Sequence, residues 1–215
     1  MTHAKVVLDE DDVRRTLVRI AHEIVEKNAG RPVALVGIHR RGAHLATRLH
    51  RLVSDLLGED VPRGDIDIAF YRDDVATRPA DPAVRASDLP FRLEERTVVL
   101  IDDVLYTGRT ARAAIEALFD YGRPARVQLA VLADRGHREL PIRPDYVGKN
   151  LPTSRAERVN VRVLEVDGTD EVTISEFPGA AGADGWIGAA LNSPAKLPPW
   201  TICNSAAIPP IAWGR

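Results

Sequence analysis

Residues 98–110 read VVLIDDVLYTGRT. The aliphatic run from Val98 to Ile101 has no polar face, so it reads as a strand buried on both sides, as in the middle of a parallel sheet. Two adjacent carboxylates, Asp102 and Asp103, follow at once, and then Thr107, Gly108, Arg109 and Thr110 lead into an apolar-periodic helix from about Thr110 to Tyr121. The order predicts a strand that stops in a polar turn and feeds a helix. Such a junction suits a phosphate: a helix N-terminus presents unpaired N–H groups and partial positive charge, and glycine lets the ligand approach the backbone. The hydroxyls of Thr107 and Thr110 add hydrogen bonds. Asp102 and Asp103, at the carboxyl end of the strand, would accept from sugar hydroxyls or hold Mg²⁺ partly through water. In open α/β sheets this strand-end crevice is where ligands bind. An isolated DDxxxTG is compatible with acids that merely cap a turn; the whole pattern is not. No GxxxxGK[ST] or GxGxxG sequence offers a competing phosphate site.

The flanking chain alternates strands with helices. Val13, Leu17, Ile20 and Ile24 form one stripe of a helix over Asp11–Lys27. PVALVGI reads as a buried strand, Ala43–Leu57 as a helix with Leu45, Leu49, Leu52 and Leu56 inward, and DIDIAFY (65–71) as a strand. A polar, proline-rich stretch from Arg72 to Pro90 has no period, and a loop of that length is a functional lid or unstructured. VQLAVLA is a further strand, Asp134–Arg155 reads as irregular, and VNVRVLEV and EVTIS flank Asp167-Gly168 as a hairpin. Strands alternating with helices predict a mostly parallel central sheet with helices on both faces. Residues 178–215 are rich in Gly, Ala and Pro and hold all three tryptophans. Their composition favours a C-terminal extension, disordered or non-native, outside the functional domain of residues 1–177.

Composition narrows the class. A single cysteine, Cys203, offers neither an internal disulfide nor a zinc cluster. There is no apolar run of membrane-spanning length, and the N-terminus lacks the features of a secretory signal, so a cytoplasmic protein is expected, with no membrane role. A formal net charge of -2 says little about nucleic acid, for which a local basic face matters more. Between residues 135 and 162, Arg135, Arg138, Arg143, Lys149, Arg155, Arg158 and Arg162 outnumber Glu139, Asp145 and Glu157.

The hydrophobic strand, acidic pair and TGRT turn resemble the phosphoribosyl-pyrophosphate (PRPP) signature of type I phosphoribosyltransferases. RRTLVRIAHEIVE, LVGIHRRG, DIAFYRDD, VLIDDVLYTGRTARAA and LADRGHRELPIRPDYVGKNLPTS resemble, within that family, the branch that couples uracil phosphoribosyltransferase to regulation of pyrimidine operons. The resemblance covers about residues 5–177. It implies a type I phosphoribosyltransferase fold with a small hood and a flexible loop, Mg²⁺ as cofactor, and the reaction of uracil with PRPP to give UMP and pyrophosphate.

On the resemblance, the catalytic residues are Asp102, Asp103, Arg41 and Arg72, with the metal at Asp102 and Asp103 shared with PRPP and water. Thr107, Gly108, Arg109 and Thr110 bind the phosphate of PRPP or UMP. Gly37, Ile38, His39, Arg40, Arg41 and Gly42 form the pyrophosphate loop, in which Arg40 stands where relatives often have threonine. Arg72 opens the lid. Tyr106, Arg135 and His137 line the base pocket under a hood made by LADRGHR; Tyr106 replaces the aspartate common in purine members. The resemblance also places Arg19, His22, Arg138, Arg143 and Lys149 on a basic concave surface of a homodimer, or higher homo-oligomer, that binds a pyrimidine-operon leader mRNA stem-loop and attenuates transcription. There UMP favours binding, and UMP and UTP are the nucleotide partners. Val18 stands where relatives often carry threonine. Three readings stay open: enzyme and RNA-binding attenuator, enzyme only, or nucleotide-sensing RNA regulator with negligible catalysis.

Overall fold

The computed structural model describes residues 4–71 and 87–176. Arg72, most of the expected lid and the whole 178–215 extension lie outside the described residues. The elements run β1 (Lys5–Leu8), α1 (Glu10–Lys27), β2 (Val33–Ile38), α2 (Arg41–Leu57), β3 (Arg63–Ile66), a 3-10 turn (Ala69–Tyr71), β4 (Thr97–Leu105), α3 (Arg109–Phe119), β5 (Arg126–Asp134), β6 (Tyr146–Asn150), β7 (Glu157–Arg162), α4 (Leu164–Asp167) and β8 (Glu171–Glu176). Five strands form a parallel sheet in the order β3-β2-β4-β5-β6, and β1-β8-β7 form a separate antiparallel sheet.

The central strands are apolar on both faces because both faces are covered. Leu35, Val99, Ile101, Ala130 and Leu132 point into a core shared with α1 and α2. Val36, Ile38, Val98, Leu100, Leu129 and Val131 point the other way, against Ala111, Ala113, Ala114, Ala117 and Leu118 of α3. The stripe on α1 is as expected, with Val13, Leu17, Ile20 and Ile24 buried. Asp9 caps that helix by accepting the Asp12 N–H at 2.8 Å. In α2, Leu45 and Leu49 are buried, but Leu56 is 43% exposed, so the expected inward face stops a turn early. Among the described residues no helix is long and apolar enough to cross a membrane.

Four local expectations are corrected. β4 carries the acids near its carboxyl end as expected but runs on past them to Leu105, still paired to β5, before the chain turns. The 65–71 strand is in fact β3, Arg63–Ile66, because the Asp67 carboxylate accepts the Ala69 N–H at 2.8 Å and turns the chain. β6 lies inside the stretch read as irregular; as an edge strand its exposed positions carry no alternating signal. Finally, β7 and β8 do pair as a hairpin, but the connection contains α4 rather than a two-residue turn. There Asp167 accepts the Val163 N–H at 3.0 Å and Asp170 accepts the Leu164 N–H at 2.7 Å, and Gly168 closes the turn at φ 75°.

The antiparallel sheet and α4 form a second structural layer, termed the hood below. Hood residues Leu8, Val159, Val161, Val163 and Val172 belong to the same core cluster as α1 and α2. Its docking is also ionic: Arg48 of α2 donates to both oxygens of Glu165, at 2.6 and 2.9 Å, and of Asp170, at 2.7 and 2.9 Å. The hydrogen bonds from Arg48 hold the Glu165 carboxyl below its ordinary value. A group with a depressed native pKa stabilises the fold above its unfolded value and loses that contribution as pH falls through the native one. Thermal stability should therefore fall as pH drops below about 4.3, the ordinary glutamate value. Glu165→Gln should cost about 1 kcal/mol near neutrality and show a shallower acid slope. Identical slopes for the two proteins would remove Glu165 from the account.

Candidate functional site

The site assembles at the carboxyl ends of β2 and β4. These strands are parallel neighbours in which Gly37 lies opposite Ile101, so the loop leaving β2 emerges level with the acid pair. Gly42 packs so tightly there that a Cβ would meet the Ile101 carbonyl oxygen at 2.3 Å and the Asp102 Cα at 3.3 Å. A Cβ on Gly37 would meet the Ala43 Cα at 2.5 Å. These glycines are therefore needed for close backbone approach, and they join the expected pyrophosphate loop to the acid strand. The loop contains a cis peptide between His39 and Arg40. Ile38 is a core residue, buried toward α3, and brings only its backbone to the site. His39 is half-buried and Arg40 exposed.

Arg41, at the start of α2, does not stand free in the loop. Its Nε and Nη2 donate to the two oxygens of Asp167 in the hood, at 3.0 and 2.8 Å. Those hydrogen bonds hold the Asp167 carboxyl below its ordinary value and raise the Arg41 guanidinium further. Asp103 adds a smaller favourable Coulombic effect on Arg41. Asp102 is buried and its Oδ1 accepts the Asp103 N–H at 2.9 Å, while the Asp103 Oδ1 accepts the Val104 N–H at 2.8 Å.

The turn after β4 is held open from outside. Gly108 caps α3 at φ 94°, a conformation glycine adopts without strain. The Thr107 carbonyl accepts the N–H groups of Glu139 and Leu140 at 3.0 and 3.1 Å. The side chains of Leu140 and Ile142 pack beside Gly108. The first amides of α3 have no acceptor within the helix, and the Arg109 N–H reaches the Thr107 Oγ1 at 3.4 Å. The Arg109 side chain turns outward to Glu139, at 2.9 and 3.0 Å, so at the turn it offers its amide. Thr110 is half-buried in the first turn of the helix.

The three expected base-pocket residues meet. The Arg135 guanidinium lies 4.2 Å from the Tyr106 ring centroid, and the His137 ring stands edge-on to Tyr106 at 6.1 Å. Arg135 is buried and donates to the Ser154 and Glu157 carbonyls, which ties the pocket to β7. His137, at φ 59°, contacts the Thr153 carbonyl oxygen at 2.5 Å through Nε2.

The basic set divides. His22, Arg143 and Lys149 are exposed. Arg138 is turned inward: it donates to the carbonyls of Leu105, Tyr106, Gly136 and Ile142 and to the Asp134 carboxylate. These bonds commit most of its donors within the chain and brace the turn that follows β4. Arg19 remains at the surface but bridges Glu23 and the carbonyls of Val147 and Gly148. Val18 is half-buried.

Residues 4–165 match the family model described as phosphoribosyl transferase domain. The chain belongs to the phosphoribosyltransferase family. Within it, the chain is similar to the "Bifunctional protein PyrR" of Roseiflexus sp. (strain RS-1), 62% identical over 165 residues, which span 76% of this chain and 90% of that protein. The protein of the same name from Chloroflexus aurantiacus is 58% identical over 175 residues, 81% of this chain and 96% of the relative. Among solved structures, a hypoxanthine phosphoribosyltransferase from Staphylococcus aureus superposes with TM-score 0.60 at 21% identity, covering 81% of this chain and 93% of that one. The Trypanosoma cruzi hypoxanthine phosphoribosyltransferase in complex with the product IMP gives TM-score 0.58 at 19% identity, over 81% and 90%. At such identity the structural likeness speaks for the phosphoribosyltransferase fold alone.

Sequence reasoning missed Asp167, Arg48 and the 138–142 buttress. Asp167 was visible only as half of a turn signal, and nothing local announces a partner so far along the chain. The glycine contact gives a direct check on the geometry. Gly42→Ala should lose about 1–3 kcal/mol of stability in urea unfolding, because the added methyl meets backbone that cannot yield as a side chain would. Unchanged stability would mean that the loop and β4 are not in close contact.

Proposed function

We propose that this phosphoribosyltransferase converts uracil and PRPP to UMP and pyrophosphate, and that it also binds a pyrimidine-operon leader mRNA stem-loop in a UMP-dependent way. The observation that carries the enzymatic part is the convergence, on two adjacent parallel strands, of an acid pair, a helix-start turn and a glycine-packed loop. The name "Bifunctional protein PyrR" borne by the relatives favours the second activity.

In this reaction a bond forms from the uracil ring nitrogen to the anomeric carbon while the bond to pyrophosphate breaks; the nitrogen releases its proton to solvent, and negative charge gathers on the departing group. The amides at the start of α3 and the hydroxyls of Thr107 and Thr110 hold the 5′-phosphate. Asp102 and Asp103 orient the ribose hydroxyls. Arg41 and the loop amides meet the pyrophosphate charge, and Arg72, outside the described residues, would join them from the lid. Tyr106, Arg135 and His137 frame the base, and the tyrosine offers an aromatic wall where purine enzymes of the family often carry an aspartate.

The residues fit Mg²⁺ of the kind this chemistry uses. No cluster of three or more His, Cys, Asp or Glu is present among the described residues, so there is no all-protein cage. The acid pair offers the one or two carboxylates that Mg²⁺ takes when substrate oxygens and water complete its shell. When bound, the ion would neutralise charge on the pyrophosphate.

For the RNA activity, His22, Arg143 and Lys149 form the exposed basic set, to which UMP-dependent docking of a stem-loop is assigned on a homodimer or higher homo-oligomer in the cytoplasm; UTP would act at the nucleotide site. A second reading, enzyme only, is favoured by one observation: Arg138 and Arg19 are both committed to contacts within the chain.

Two experiments decide. With Mg²⁺, PRPP and uracil the protein should form UMP, and Asp102→Asn combined with Asp103→Asn should lower kcat/KM by a factor on the order of 10² or more; full activity in that variant would refute the assigned site. UMP should tighten binding to the leader hairpin over a scrambled one. Arg143→Gln and Lys149→Gln should each weaken it and reduce the salt slope by about one. Equal binding to both hairpins leaves the enzyme-only reading.

A further inference from the structure

Arg41 and Asp167 are separated by 126 positions in sequence, yet they form a two-pronged pair that joins the pyrophosphate loop to the hood. The carboxylate is itself held: its Oδ2 also accepts the Val163 N–H at 3.0 Å, from a fully buried residue of the hood. Both side chains are mostly shielded, at 32% and 20% exposure, unlike the loose surface pairs of α1, where Arg14 and Asp11 stand at 67% and 69%. On the other side, Gly42 pins the same helix start to the Ile101 carbonyl. Arg41 is thus fixed at its backbone by β4 and at its guanidinium by the hood.

A side-on pair through Nε and Nη2 occupies one N–H on each nitrogen and leaves three N–H bonds of the planar fork for another acceptor. Asp103, an acid of the donor site, lies within Coulombic range of the same guanidinium. Arg40 next door is exposed, and no ion pair of its side chain occurs among the described residues. Of the two loop arginines, Arg41 is therefore the one whose fork is set in place before any anion arrives.

We infer that Asp167 is a positioning residue: by gripping Nε and Nη2 of Arg41 it fixes the fork so that the remaining donors meet the pyrophosphate of PRPP in a preset orientation. The inference rests on the phosphoribosyl-transfer reading above and deepens it by assigning a function to an acid of the hood. Two effects of the carboxylate oppose each other. Its charge repels the pyrophosphate, but that repulsion acts at a partly exposed site and is screened. Its grip removes the rotamer freedom of a long arginine side chain, which an anion would otherwise have to freeze out on binding. The second effect is the larger, because the pair is bidentate and the carboxylate is anchored to backbone.

Asp167→Asn keeps the shape and an acceptor for the Val163 N–H while removing the charge-assisted grip. Calorimetric titration with pyrophosphate and Mg²⁺, and separately with UMP, should show pyrophosphate binding weakened about tenfold and UMP binding changed by less than about threefold. KM for PRPP should rise by a similar factor, with kcat nearly unchanged. Glu165→Gln, which loosens the Arg48 side of the hood instead, should lower Tm and leave pyrophosphate affinity as it was. Adding Asp167→Asn to Arg41→Ala should cause no further loss of pyrophosphate binding, since the aspartate acts through the arginine. Unchanged or tighter pyrophosphate binding, equal weakening of both ligands, or an additive loss in the double variant would overturn the inference. If the unaltered protein binds pyrophosphate but forms no UMP, the proposed reaction fails while the titrations still decide the role of Asp167. If it binds neither ligand, both readings fall.

Discussion

The contact between Gly42 and the Ile101 carbonyl governs the geometry of the whole site. β2 and β4 are parallel and adjacent, with Gly37 opposite Ile101, so the loop after β2 begins at the level where β4 turns from aliphatic to acidic. For the loop to cross at that level, the start of α2 must lie directly on the β4 backbone, which only a residue without Cβ permits. The acid pair, the loop and the turn into α3 are then placed by a single register. That register is in turn held by the burial of Val33–Ile38 and Val98–Ile101 on both faces. A shift by one residue would exchange the two faces of a strand and carry Gly42 away from the Ile101 carbonyl.

This dependence explains what was legible in the sequence. Strands buried on both faces and helices with one apolar stripe leave strong periodic signals, and so β2, β4, β5, α1, α2 and α3 could be read from them. The turn from β4 into α3 could be read because its signals are contiguous: strand, acids, glycine and threonines lie within one short stretch. The three residues that the family resemblance groups together, Tyr106, Arg135 and His137, do meet in space. β1 and β6 were not legible. One is four residues long and finds its partner, β8, at the other end of the domain, and the other is an edge strand interrupted by Gly148. The β7–β8 connection was misread because Asp167-Gly168 gives the same local signal in a tight turn and at the end of a one-turn helix. What separates the two is the demand of Asp167 and Asp170 for backbone N–H partners and arginines, and that is settled only in three dimensions.

Charge counting was the least reliable part of the reading, and the reason is physical. A guanidinium has five donors, and a folded chain can consume them internally. Arg138 does so almost completely, donating to four carbonyls around the phosphate turn and to one carboxylate. Arg48 is divided between two acids, and Arg41 is held by a third. Sequence position cannot distinguish an arginine that fastens two loops together from one that faces solvent. A guanidinium held in this way keeps its charge, so the local excess of basic residues between 135 and 162 overstates the donors open to an approaching polyanion.

The two kinds of anion contact in this molecule should accordingly behave differently. In the proposed function the turn before α3 would bind through amides whose direction is fixed by Gly108 and by the two N–H groups donated to the Thr107 carbonyl. Short-range hydrogen bonds of that sort depend on geometry and are little affected by salt. Binding through His22, Arg143 and Lys149 would depend on mobile, solvated charges, which salt screens over about 10 Å. Segment 138–142 stands between the two: its backbone and Arg138 buttress the phosphate turn, and its far end leads into Arg143. A nucleotide that tightens the turn acts on the same short segment that carries a surface cation, so any coupling between the sites has a continuous covalent and hydrogen-bonded path of a few residues to follow.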